Sequence, residues 1–293
     1  MSVVAYRPAR LRRLAAAHLA LARISNAPTV VTNVLAGAAL VGHRQPEGRT
    51  AAAALAVLLL YVAGMYLNDL LDVDVDSRER PGRPLPSGAV SARSVALCAT
   101  ALIAAALGIL ATFGTVPLLG GIVLTGAILA YDAVHVRLSG SPLIVAACRA
   151  LAYGVAGLAV SGSADLRLVV VALAAAAYVA GLSYLARNEM SLSAASLWPV
   201  PLLASPIAVL AVRADSLLAV ALAVGVALWA FHAASFVHAR RGRRVGRAVA
   251  DLIAGIALID AAVLVTCGAG IAAALAVAAF ALTLALHRVI PGT

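Results

Sequence analysis

Lysine is absent from this chain and acid is scarce: all 22 basic residues are arginine, against 12 aspartates and glutamates in 293 residues. Charged residues make up 12% and aromatics 4%, while 63% of the chain is hydrophobic and the mean hydropathy is +1.02. A soluble domain of this size cannot bury so much apolar surface. Recurring apolar runs of roughly 20 residues mark a polytopic membrane protein instead. Cys98, Cys148 and Cys267 stand far apart in or beside apolar runs, which excludes a disulfide framework and a zinc site. The formal charge of +10 sits on arginines at the ends of apolar runs and not on a basic tail, so no nucleic-acid partner is implied. Arginine without lysine, with heavy use of alanine, points to a GC-rich bacterial genome.

The apolar pattern predicts an all-α bundle of nine or ten transmembrane helices forming one polytopic domain over 1–293. Helices are expected near 16–41, 51–72, 91–112, 117–136, 142–161, 166–187, 194–212 and 215–238. The last apolar region, Val249 to Leu286, is too long for one span, and Gly268 and Gly270 predict a hairpin dividing it. The first apolar stretch, Leu14 to Leu40, is too long for a cleavable signal peptide and is interrupted by Arg23 and Asn26. Arginines cluster in the N-terminal lead, the 78–93 segment, and the loops near 137, 188 and 240–247. The intervening loops hold only Arg44, Arg49, Arg167 and Arg213. By the positive-inside rule this places the N-terminus and the arginine-rich loops in the cytoplasm. The expected location is the inner membrane of a bacterial cell, with membrane lipid as a standing partner. The 240–247 run reads as a topology signal in contact with lipid headgroups.

What acid there is gathers in one place. Tyr66 to Gly88 reads YLNDLLDVDVDSRERPGRPLPSG and holds Asp69, Asp72, Asp74, Asp76 and Glu79. At about 100° per residue from Asn68, Asp69 falls near 100°, Asp72 near 40° and Asp76 near 80°, with Asp74 opposite near 240°. Oxygen donors crowded on one face repel unless a cation lies among them, and carboxylate and amide oxygens suit Mg2+. Arg78, Arg80, Arg83 and Arg93 follow, with Pro81, Pro84 and Pro86 stiffening the loop between. Mg2+ ligands beside phosphate-binding arginines make a diphosphate site. The plainer alternative is a solvated helix end that marks the membrane boundary.

Asn68-Asp69-x-x-Asp72-x-x-x-Asp76 and the following Arg80-Pro81-x-Arg83-Pro84-x-Pro86-x-Gly88 resemble the first aspartate-rich motif and loop of the UbiA superfamily of intramembrane prenyltransferases. The resemblance implies Mg2+-dependent transfer of a prenyl group from a polyprenyl diphosphate to an aromatic or other small acceptor. On it, Asn68, Asp69, Asp72 and Asp76 are metal ligands, Asp72 and Asp76 are catalytic, and Arg80 and Arg83 bind diphosphate. Tyr131 to Arg137 (YDAVHVR) resembles the family's segment after helix four, which assigns Tyr131 and Arg137 to the diphosphate; a plain loop arginine is the alternative for Arg137. Arg23 and Asn26 correspond to acceptor-pocket positions, or else to a snorkelling arginine and a packing amide.

The family's second aspartate pair, expected after helix six, is missing. The corresponding SYLARNEMSLS carries Glu189 as its only carboxylate, the candidate second metal ligand and catalytic acid. This departure resembles the divergent EboC-like bacterial branch. It keeps open a catalytically weakened relative that binds prenyl lipid, and a small secondary transporter stands as a third class. Among other intramembrane polar residues, Arg149 is expected to partner a carboxylate and Asp251 to answer Arg247 at i+4. Asp132 is expected to pair with a neighbouring arginine, and Asp260 has no assignment.

Overall fold

The structure is a computed structural model that describes residues 3–135, 137–188, 199–213, 216–236 and 243–290. All regular structure among the described residues is helical. Among the described residues seven helices are long and apolar enough to cross a membrane: α3 (Gly48–Leu71), α5 (Ala92–Ala111), α6 (Thr115–Val134), α7 (Ser141–Ser161), α8 (Leu166–Asn188), α12 (Arg243–Thr266) and α13 (Gly270–His287). The other helices among the described residues are α1 (Val3–Leu21), α2 (Ala27–Leu40), α4 (Val73–Glu79), α9 (Val200–Leu203), α10 (Ser205–Arg213) and α11 (Leu217–Ser235).

Two breaks carry information. The expected helix over 16–41 is split: α1 ends at Leu21, Arg23 takes a left-handed φ of 41°, and one 3-10 turn, Ile24–Asn26, leads into α2. Pro28 lies in the first turn of α2, where its missing N–H costs nothing. The break at the other end of the chain falls where glycine predicted it, with Gly268 at φ 70° between α12 and α13.

α2 is the hub. It packs against α3, α7, α12 and α13, and every residue in it except Pro28 and Val31 is buried. A helix apolar all round belongs inside a bundle. Gly37 allows a close backbone approach: a Cβ there would lie 2.6 Å from the Tyr153 carbonyl oxygen of α7. Helices α5, α6 and α13 lie outside, and Leu97, Leu119, Val123 and Leu275 face outward as a lipid-exposed surface requires. The C-terminal ends of α3, α6 and α8 and the start of α7 meet at one end of the bundle. Arg187 ties them there, donating to Ser141 Oγ at 2.6 Å and to the Leu138 carbonyl at 2.8 Å.

Candidate diphosphate and metal site

The acidic face forms because the helix does not stop where α3 is bounded. Asp72 departs from helical backbone angles (φ −88°, ψ 2°), yet its N–H still bonds the Asn68 carbonyl at 3.0 Å, and the Asp76 N–H bonds the Asp72 carbonyl at 2.8 Å. Asn68, Asp72 and Asp76 therefore stay stacked on one side through the junction with α4. Asn68, Asp69 and Asp76 are buried and Asp72 is partly buried, while Asp74 is exposed. The angular reading of the sequence holds.

Cations close over this face. The 80–88 loop turns back through hydrogen bonds from Arg83 N to the Arg80 carbonyl and from Gly88 N to the Leu85 carbonyl. Arg83 Nη1 thereby sits 2.6 Å from Asp76 Oδ2 and 3.5 Å from Asp69 Oδ1. Arg23 reaches the same face from the break before α2, with Nη2 3.0 Å from Asn68 Oδ1 and 3.2 Å from Asp69 Oδ1. It does so from a left-handed backbone at Arg23, an unusual conformation for a residue other than glycine. Arg23 was expected in the acceptor pocket; its side chain lies on the acidic face. Arg80 is exposed, but with Arg23, Asp69 and Arg83 it lines a cleft of about 410 Å³ over that face.

The α6 end supplies groups the sequence reading passed over. His135 Nε2 lies 3.1 Å from Asp72 Oδ2, and its Nδ1 lies 3.1 Å from the Asp132 carbonyl. The Asp132 carbonyl accepts and so does the Asp72 carboxylate, an arrangement that favours the protonated imidazole. The Asp72 hydrogen bond raises the His135 pKa above its ordinary value, against burial, which pulls it down. Tyr131 stacks on His135 with ring centroids 5.2 Å apart. Arg137, expected in this basic role, is exposed and makes no side-chain hydrogen bond or ion pair among the described residues. The signal for His135 was its spacing, one helical turn after Tyr131.

Asp132 does not pair with an arginine. Its Oδ1 accepts from Asn68 Nδ2 at 3.3 Å, and its buried Oδ2 has no hydrogen-bond partner among the described residues. Asp132 and Tyr131 also line a cavity of about 130 Å³ beneath the acidic face, whose walls include Val30, Val57, Leu124 and Ile128. Asn26 lines neither this cavity nor the cleft; its Oδ1 lies 2.7 Å from His287 Nε2 of α13. Asp251 lies 3.8 Å from Arg247 Nε, as the i+4 spacing predicts. Glu189 lies outside the described residues.

Among the described residues no three His, Cys, Asp or Glu side chains converge on one metal-sized point. The carboxylates are instead held by Arg23, Arg83 and His135. The donor set is nevertheless all oxygen, as Mg2+ requires. The buried Oδ2 of Asp132 has no hydrogen-bond partner among the described residues, so it is an oxygen still free to meet a bound group.

Residues 30–191, more than half of the chain, match the UbiA prenyltransferase family. The chain belongs to that family. Among curated relatives, this UbiA-family chain is 37% identical to the digeranylgeranylglyceryl phosphate synthase of Ignicoccus hospitalis over 115 residues, covering 39% of the chain and 37% of the relative. With the Methanopyrus kandleri synthase of the same name the identity is 34% over 128 residues, covering 44% and 46%. The chain thus spans less than half the length of these relatives.

Two solved UbiA homologues share the fold. The apo homologue from Aeropyrum pernix K1 superposes with a TM-score of 0.67 at 21% identity, covering 83% of this chain and 97% of that one. The homologue from Archaeoglobus fulgidus bound to DMAPP and Mg2+ gives 0.51 at 17% identity, covering 93% and 99%.

Proposed function

We propose that this UbiA-family protein transfers a prenyl group from a polyprenyl diphosphate to a small acceptor within the membrane, with Mg2+ as cofactor. The observation that carries the reading is the stacking of Asn68, Asp72 and Asp76 on one helical side, with Arg23 and Arg83, which line the adjoining cleft, bonded to Asn68 and Asp76, and with Asp132 of the apolar cavity bonded to the same Asn68. A soluble hydrolase has no use for that juxtaposition; a lipid diphosphate needs both halves of it.

Asn68, Asp69, Asp72 and Asp76 would hold the metal. When bound, Mg2+ supplies positive charge against which the departing diphosphate is stabilised. Arg83 and Arg80 bind the diphosphate, and the anion entering the cleft competes with Asp76 for the Arg83 guanidinium. Arg23 holds Asn68 and Asp69 in register. His135 does the same for Asp72, and Tyr131 buttresses His135 while facing the cavity. Apolar walls keep water from the electron-poor allylic carbon until the acceptor attacks. Glu189, the one carboxylate of the SYLARNEMSLS stretch, is the candidate for a second metal opposite the first. Arg137 remains the outer basic residue of the α6 segment.

The chain reads as one polytopic unit over 1–293 with nine or ten spans, in the cell membrane, its acidic face toward the cytoplasm. The arginine bias supports that orientation, because Arg78, Arg80, Arg83, Arg137 and Arg187 all belong to the end of the bundle that carries the site. The test is diphosphate release from geranyl diphosphate by the purified protein with Mg2+ and with EDTA. Mg2+-dependent release supports the reading. Mg2+-dependent binding without release points to a weakened lipid-binding relative, and neither binding nor release overturns the assignment.

A further inference from the structure

A second polar system lies deeper in the bundle and takes no part in the mechanism above. Asp260 of α12 is fully buried. Its Oδ2 accepts from Thr32 Oγ1 at 2.5 Å and from Asn33 Nδ2 at 2.7 Å, both on α2, and its Oδ1 accepts from the Tyr153 hydroxyl of α7. Asn33 is the relay. While its amide nitrogen serves Asp260, its Oδ1 accepts from Arg149 Nη1 of α7. Arg149 stands one turn before Tyr153, on the same helical face. Eight residues into α7, it lies about 12 Å below the helix start at 1.5 Å per residue.

Two facts set Arg149 apart from a simple structural ion pair. Among the described residues no carboxylate forms an ion pair with it, and Asn33 is its one hydrogen-bond partner. A guanidinium carries five N–H donors, so most of its fork is unspent. That unspent fork belongs to a residue lining the apolar cavity that also holds Tyr131 and Asp132. The other charged residue of the cavity, Asp132, is turned to Asn68 of the metal face. Placing an arginine inside a membrane bundle is costly and needs an anion in compensation. Asp260 offers that compensation from one residue further away. It favours the charge there without occupying the fork.

We infer that Arg149, positioned by Asn33 and Asp260, is the specificity residue that takes an oxyanion group, carboxylate or phosphate, of the acceptor. The rest of the acceptor is a compact apolar body lying along Val145, Ala152 and Val57. Its reacting end then lies toward Asp132 and the diphosphate site, so the prenylated atom is remote from the acid group. A planar guanidinium suits such a group because it can make two parallel hydrogen bonds to it. This inference rests on the prenyltransferase reading for the word acceptor, but the anion site itself does not depend on it.

The experiment titrates detergent-purified protein calorimetrically with benzoate, phenyl phosphate and benzamide. In parallel, Mg2+-dependent binding of geranyl thiodiphosphate is measured and the thermal unfolding midpoint is recorded. We expect one of the two anions to bind at least about tenfold tighter than benzamide, and the tighter anion identifies the acid. Arg149→Gln should abolish this preference with diphosphate binding intact. Arg149→Lys keeps a charge without the fork and should retain only part of it. Asp260→Asn should weaken the anion preference while leaving benzamide binding unchanged, which a purely structural role would not do. Equal binding of anion and amide by wild-type protein overturns the inference, as does a full preference in Arg149→Gln. If Arg149→Gln does not fold, an unaltered preference in Arg149→Lys overturns it. Loss of geranyl thiodiphosphate binding by wild-type protein, with anion selectivity present, would instead count against the prenyltransferase reading alone.

Discussion

Asp76 and Asp74 are two residues apart, identical in chemistry and opposite in surroundings, so their alanine variants isolate the proposed metal face. The Asp76 side chain is 6% exposed and 2.6 Å from Arg83 Nη1. Removing one partner of a buried pair costs about 3–5 kcal/mol. Arg83 is itself 18% exposed and retains Asp69 at 3.5 Å, so the low end applies, about 3 kcal/mol. The functional loss adds to this. Even removing an outer partner of a metal site lowers metal affinity by about 10–100-fold, so removing a ligand should cost at least that. Asp76→Ala should therefore weaken Mg2+-dependent binding of a diphosphate analogue by roughly 100-fold or more and lower the unfolding midpoint. Asp74 is exposed, and its replacement should stay within about 0.5 kcal/mol. Calorimetry with geranyl thiodiphosphate at saturating Mg2+ gives the first quantity, and thermal unfolding in detergent gives the second. Equal losses in Asp74→Ala and Asp76→Ala would refute the one-face argument.

Glu189→Gln should abolish diphosphate release at all Mg2+ concentrations while leaving analogue binding nearly intact; an unchanged release rate across a Mg2+ titration removes Glu189 from the site. Ser77→Cys, placed in a background lacking Cys98, Cys148 and Cys267, should be labelled by an impermeant maleimide only from the cytoplasmic side. Labelling from outside in intact cells would reverse the orientation. His135 carries a pKa raised above 6.5, so its pairing with Asp72 stabilises the folded state fully below about pH 6.5 and fades as pH rises through the folded value. In EDTA, the difference in unfolding midpoint between wild type and His135→Gln should thus be largest at acid pH and shrink above neutrality; a difference that grew with pH would contradict a protonated His135.

The sequence by itself determined the class of the protein and which residues share its acidic face. Composition excluded a soluble core, and a 3.6-residue period is a local property that places Asn68, Asp72 and Asp76 together whatever the rest of the chain does. The glycine break between the last two helices was legible for the same reason, since positive φ is a property of one residue. The family's motif spacing was legible too, because it is contained in one helix and one loop.

What joins different helices was not. Arg23 read as part of one continuous first helix, lining an acceptor pocket or snorkelling; only packing shows that the chain breaks there and brings its guanidinium onto Asn68 and Asp69. The basic role in the α6 segment fell on Arg137 by analogy, whereas the fold turns His135 to Asp72 across 63 positions of sequence. Asp260 had no assignment because its partners, Thr32, Asn33 and Tyr153, lie on two helices more than 100 residues away. A buried carboxylate is interpretable only through the donors around it, and those are chosen by how helices pack. Helical periodicity carries one face of one helix; which faces meet is decided by the close approach of α2 to α7 at Gly37 and by the burial of α2 at the centre of the bundle.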